Sequence, residues 1–150
     1  MSALSRGSAV PLFDRLAAGG ETQLVGASAL RESVARDLGR LLNTRSRLTV
    51  AAFSASDGTV IDYGVPDFSE RSLRSGADRD AIAAAVRRAI ELFEPRLANV
   101  TVTFAFPADR SDPLLLIDGR LREATGVGHV AFQLAATGDG YIDSRWVEHA

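Results

Sequence analysis

The chain contains no cysteine and no lysine, and its 150 residues include one tryptophan, two tyrosines and two histidines. Without cysteine there is no disulfide, no thiol nucleophile, no Cys-ligated zinc and no iron–sulfur cluster. His129 and His149 lie far apart with no zinc-like spacing, and no Gly-x-Ser-x-Gly elbow is present to start a Ser–His–Asp triad. Apolar runs such as Leu114-Leu115-Leu116-Ile117 fall far short of the ~20 residues a membrane-spanning helix needs. The N-terminus carries no basic stretch followed by an apolar core, so no secretory signal is expected. A net charge of −2 and a pI near 5.7 give no bulk attraction to nucleic acid or to an anionic membrane. These absences predict a cytoplasmic protein with no cofactor, no metal, no nucleic-acid partner, no membrane insertion and no small-molecule substrate.

What is present is ordinary for a folded domain. Apolar residues make up 46% and charged residues 24% of the chain, and a globule of this length hides roughly 70% of its unfolded surface. All 17 positive charges are arginine. GC-rich coding produces that bias, and so does a surface built for interfaces, because the guanidinium fork binds carboxylates bidentately.

Residues 1–27 read as an N-terminal arm, with small and polar residues up to Val10. Within it Leu12, Phe13, Asp14, Arg15 and Leu16 form a short amphipathic cluster that Gly19-Gly20 ends. Such a cluster can pack back on its own domain or dock on a partner. Residues 28–150 read as a single α+β domain of two main helices on a small antiparallel meander. Leu30, Val34, Leu38, Leu41 and Leu42 build one stripe of a helix from Ser28, as N-cap, to Asn43. Ile82, Val86, Ala89, Ile90 and Phe93 do the same for a helix over Asp78–Phe93, with Asp78 and Asp80 complementing its dipole. Between them, Leu48 to Phe53 and Val60 to Tyr63 read as short extended pieces. Tyr63, Gly64, Pro66 and Asp67 belong to a fixed loop, Tyr63 to Phe68, whose Gly and Pro forbid regular structure. Beyond Pro95 the pattern turns to period two at Val100, Val102, Phe104 and Phe106. Leu114 to Ala124 and Val127 to Ala135 follow as strands, Asp118-Gly119 marks a bulge or bend, and a last extended stretch lies around Tyr141-Ile142-Asp143.

The sequence carries no recognisable catalytic constellation. A glycosidase needs two carboxylates about 5–9.5 Å apart, one of them held protonated. Among Glu32, Asp37, Asp67, Glu91 and Glu94, only the first two share a helix turn region, and five residues of separation turn them roughly 140° apart. Gly126-Val127-Gly128 leads into a strand and not a helix, so it is no phosphate loop. What stands out is Glu94-Pro95-Arg96, where the second helix hands over to the meander. It reads either as a helix stop with two solvated charges, or as a rigid corner in which one charge braces the fold and the other meets a partner. The outward version predicts that Glu94→Ala or Arg96→Ala leaves a folded monomer.

Four segments in order resemble TssE, the type VI secretion baseplate subunit, and the wedge proteins of contractile phage tails. They are Leu12-Phe13-Asp14-Arg15-Leu16; Glu32-Ser33-Val34 through Leu41-Leu42-Asn43-Thr44-Arg45; Tyr63-Gly64-Val65-Pro66-Asp67; and Phe93-Glu94-Pro95-Arg96-Leu97. The resemblance covers about Leu12 to Leu134, while Arg47 to Val60 departs from the family pattern. The resemblance implies a non-enzymatic wedge subunit whose partners are other wedge subunits and sheath proteins, with Glu94, Pro95, Arg96 and the cluster Leu12 to Leu16 in the contacts. A phage tail or another contractile particle is the alternative setting, and an inherited "lysozyme-like" label makes a muramidase the remote one.

Overall fold

The computed structural model describes residues 26–123, 126–136 and 142–147. Helix α1 spans Ala27–Asn43, α2 Val50–Ala55 and α3 Gly76–Phe93, with a single 3-10 turn at Val60–Asp62. Strands β1 (Leu97–Ala105), β2 (Leu114–Glu123), β3 (Gly126–Ala136) and β4 (Ile142–Val147) follow. They form one antiparallel sheet in chain order, with β1 and β4 at its edges. This is the expected single α+β domain, with a third, short helix added.

The helices lie on one face of the sheet, α1 against β4 and α3 against β1, and touch each other. The period-two pattern explains why. Across the four strands one face presents Val102, Ile117 and Phe132 in register, and Phe132 in turn pairs with Trp146. These pack with Leu30, Val34, Leu38, Leu41 and Leu42 of α1 and with Val86, Ala89 and Ile90 of α3 in one continuous core. The alternate positions Thr101, Thr103, Arg120, His129 and Arg145 are exposed, the solvated face of an antiparallel sheet.

Several local expectations are corrected. Leu48 to Phe53 is not a strand: Val50–Ala55 is helical, because the Thr49 hydroxyl accepts from the Ala52 amide (3.2 Å) and caps a run containing three alanines. Its one buried side chain, Phe53, sits in the core. Val60–Tyr63 is likewise not extended but turns as the 3-10 element. Ser28 is not the cap of α1; Gly26 holds that position with no side-chain hydrogen bond. For α3 the cap is Ser75, whose hydroxyl accepts from the Asp78 amide (3.3 Å), which sets the helix start earlier than Asp78.

The bulge lies opposite Gly119 and not on its own strand. Register shifts between Ala98 and Thr101 on β1, where Asn99 takes φ 52°, while β2 runs through Asp118 and Gly119 without a break. A Cβ at Gly119 would stand 3.3 Å from the Ala98 carbonyl oxygen, so glycine admits the bulged backbone.

Strand β4 is fastened to α1 by side chains. The Asn43 amide nitrogen donates to the Ile142 carbonyl (2.8 Å) and its oxygen accepts from the Ile142 amide (2.8 Å). The Ser144 hydroxyl donates to the Ala35 carbonyl, at a point where Gly39 lets the strand approach: a Cβ there would lie 2.8 Å from Ser144 Oγ. Asn43→Ala is expected to destabilise the domain by roughly 1–3 kcal/mol, since it leaves two backbone groups without partners. Hydrogen exchange reads this directly: the Ile142 amide should exchange much faster in the variant, and unchanged protection there would refute the role.

Candidate functional site

Arg96 organises the corner between α3 and β1. Its Nε donates to Glu94 Oε1 (2.7 Å) and its Nη2 to Glu94 Oε2 (2.6 Å), a bidentate fork closed over one proline. The same Nη2 reaches Asp37 of α1, and Nη1 donates to the Ser33 hydroxyl (3.3 Å) one turn away. The backbone amide of Arg96 also points at Glu94 Oε1 (3.3 Å). The Glu94 side chain is only 5% exposed and that of Arg96 21%. Burial opposes the Arg96 charge, but the hydrogen bonds and fields of Glu94 and Asp37 outweigh it and raise the guanidinium's pKa.

The local sequence produces this geometry. Pro95 cannot continue the helix and α3 ends at Phe93. Glu94 then leaves helical angles (φ −125°, ψ 75°) while its amide still bonds to the Ile90 carbonyl (2.8 Å). Three residues later Leu97 enters β1 and the core. Glu94 and Arg96, on either side of Pro95, are turned inward onto each other, and Pro95 is left exposed. Neither reading open at this corner describes it as stated: the charges are not left in water, and both brace the fold from within. Asp37 and Ser33 were not singled out for this site. The signal was their i,i+4 spacing beside the apolar stripe of α1, although Asp37 also accepts from the exposed Arg40 guanidinium (3.1 Å).

The Tyr63–Asp67 loop flanks the corner. The Tyr63 ring meets Phe93 edge-on, with centroids 5.3 Å apart and planes at 63°. Burial, followed by the fields of Asp37 and Glu94, pushes the Tyr63 hydroxyl's pKa up. Gly64 takes φ 119°, and the chain then runs beside the end of α1: the Val65 amide donates to the Thr44 carbonyl (2.9 Å) and the Ser46 amide to the Val65 carbonyl (2.8 Å). Pro66 is buried, and Asp67 turns out to accept from the Ser69 amide (2.9 Å) and hydroxyl (3.1 Å), bonds that hold its carboxyl below the usual carboxylate range. Asp37, Leu41, Tyr63, Phe93, Glu94, Pro95 and Arg96 line a shallow depression of about 320 Å³.

A family model described as baseplate wedge protein gp25 matches residues 28–125. The chain belongs to the gp25 baseplate wedge family. No curated protein matches it. Among solved structures, a chain from "The baseplate complex from the type VI secretion system" aligns at 17% identity with a TM-score of 0.47, covering 81% of this chain and 97% of that one. The family match takes in the Ser33–Asp37–Glu94–Arg96 cluster and the Tyr63–Asp67 loop, so both belong to the gp25-like region of this chain. Leu12, Phe13, Asp14, Arg15 and Leu16 lie outside the match and outside the described residues.

Two features of this gp25 family member bear on catalysis and on membranes. Glu94 spends both carboxylate oxygens on Arg96, and Asp37 bonds to the same guanidinium and to Arg40. Among the described residues no helix is long and apolar enough to cross a membrane, and no group of three or more His, Asp or Glu is placed to hold a metal.

Proposed function

We propose that this chain is the TssE-type wedge subunit of a type VI secretion baseplate, a structural part that acts by binding and not by catalysis. Family membership supports the structural baseplate role. The observation that carries the finer reading is the braced corner. An ion cluster drawn inward by Arg96 locks the angle between α1, α3 and the sheet, and leaves Pro95 and the depression beside it as a rigid outer surface. Rigid presentation suits a wedge, because a contact surface held in its bound shape loses little freedom on docking.

In this reading the wedge partners meet the Glu94-Pro95-Arg96 corner through Pro95 and the backbone, with the side chains of Glu94 and Arg96 acting from beneath. The cluster Leu12, Phe13, Asp14, Arg15 and Leu16 supplies a second, amphipathic contact from the arm. Sheath subunits add a strand to an edge of the four-stranded sheet by β-augmentation, which the edge positions of β1 and β4 support. The protein works in the cytoplasm, on the sheath-proximal side of the baseplate. A phage tail or another contractile particle would use the same contacts, and the genes beside this one separate the settings: sheath and membrane-complex genes in one case, capsid and tail-fibre genes in the other.

The experiment is genetic complementation followed by capture. A strain lacking the gene should form no sheaths, and the intact chain should restore them and pull down wedge subunits, whereas a chain lacking residues 1–16 should pull down less while melting unchanged. Normal sheaths in the deletion strain would refute the structural role. Turnover of purified peptidoglycan by the isolated protein, lost on changing one carboxylate, would establish the muramidase instead.

A further inference from the structure

The most exposed large aliphatic side chains among the described residues are neighbours. Val60 is 91% and Ile61 72% exposed, at the tip of the 3-10 turn. Single exposed aliphatics are common on soluble proteins and mean little. Two in succession on a built turn are different, because nothing inside this fold gains from their position. By contrast Phe106, also exposed, lies under the Arg79 guanidinium, 5.1 Å from the ring centre.

The turn is built. Asp62 accepts from the Thr59 hydroxyl (2.7 Å), the Thr59 amide (3.1 Å) and the Ser56 hydroxyl (3.2 Å), and the Asp62 amide returns to the Thr59 carbonyl (2.9 Å). The Gly58 amide donates to Ser56 Oγ (3.0 Å), and Arg88 of α3 donates to the Ser56 carbonyl (2.7 Å), pinning the base of the loop. Gly58 sits at φ 76° against Leu92, where a Cβ would meet the Leu92 side chain at 2.9 Å. Tyr63 then carries the chain from the turn to Phe93, beside the Glu94-Pro95-Arg96 corner. Val60 and Ile61 are held out on a scaffold continuous with the surface described above.

We propose that Val60 and Ile61 form a preformed apolar knob that inserts into an apolar pocket, rimmed by basic side chains, on a neighbouring baseplate protein. This rests on the reading of the chain as a baseplate subunit. The basic rim follows from charge: the knob sits between Asp57, exposed at the loop, and Asp62. The same two carboxylates would repel an anionic bilayer, which makes a protein the fitting partner for exposed aliphatics here. The segment joins two helices in a region where the sequence pattern announces neither a motif nor a site, so only the fold discloses it.

The test compares the full-length protein with the double variant Val60→Ser/Ile61→Ser and with Asp57→Arg. Both side chains point into water, so the double variant should melt with the parent, yet lose at least about tenfold in affinity for the wedge subunits that the parent captures. Asp57→Arg should slow association and reduce its salt dependence. Parental affinity in the double variant, with the parent still captured, would overturn the knob and leave the baseplate reading standing. A parent that captures no baseplate subunit would sink both. Co-sedimentation of the parent with phosphatidylglycerol vesicles, lost in the double variant, would overturn the protein partner in favour of lipid.

Discussion

Arg96→Ala is expected to destabilise the domain by roughly 3–5 kcal/mol, the usual cost of removing one partner of a buried ion pair. The reason is what stays behind. Glu94 is buried, and without Arg96 its carboxylate keeps only the Arg96 backbone amide as a partner near it, at 3.3 Å. Asp37 and Ser33 lose their tie from α1 to the start of β1 at the same time. Thermal melting should show a midpoint lower by on the order of 10 °C or more. This replaces the expectation from sequence that the variant would be a sound monomer failing only in assembly. The decisive control is Glu94→Gln with Arg96→Met, which leaves no buried charge and should recover much of the lost stability. If Arg96→Ala melts with the parent, Glu94 is not held by this fork. If the control folds well but sheaths still fail to form, the charges themselves serve assembly.

Gly64→Ala is expected to cost on the order of 3 kcal/mol, combining backbone strain with two weakened hydrogen bonds. At φ 119° an L residue is strained wherever it points, and here its Cβ would stand 2.5 Å from the Thr44 carbonyl oxygen and 2.9 Å from the Ser46 amide. That clash falls on the segment that exchanges hydrogen bonds with Val65, the isolated parallel bridge between Arg45 and Val65. Tyr63 would lose its setting against Phe93, and the corner would loosen from the loop side. Urea titration reads the loss, and loss of the NMR cross-peaks between the Tyr63 and Phe93 rings locates it. A variant as stable as the parent would mean that the loop can shift without cost.

Much of this architecture was legible because periodicity is strong wherever one face is buried. The stripes of α1 and α3 and the alternation at Val100, Val102 and Phe104 each reported a core-facing side, and the structure buries or half-buries those side chains. Illegible parts were those where local chemistry is ambiguous or partners come from afar. Val50–Ala55 is too short for period two and period 3.6 to be told apart, and only the Thr49 cap decides it. Strand β4 carries Ile142, Ser144 and Trp146 in alternation, but Ser144 in an inward place disguised it until Ala35 appeared as its acceptor. At the corner, Glu94 and Arg96 were visible as a pair. Their direction was not, because the inward choice depends on Asp37 and Ser33, about sixty positions earlier in the chain. The family resemblance located the corner without revealing which way it faced.

The clasp between Asn43 and Ile142 also acts as a ruler. An antiparallel edge offers its outward amides at every second residue, and on β4 those belong to Ile142, Ser144 and Trp146. The Asn43 side chain already occupies the first of them, bonding both backbone groups as a neighbouring strand would. A guest strand on this edge would find the backbone pair of Ile142 already taken by Asn43. At that position the sheet ends on a side chain of a helix, where a further strand would otherwise begin.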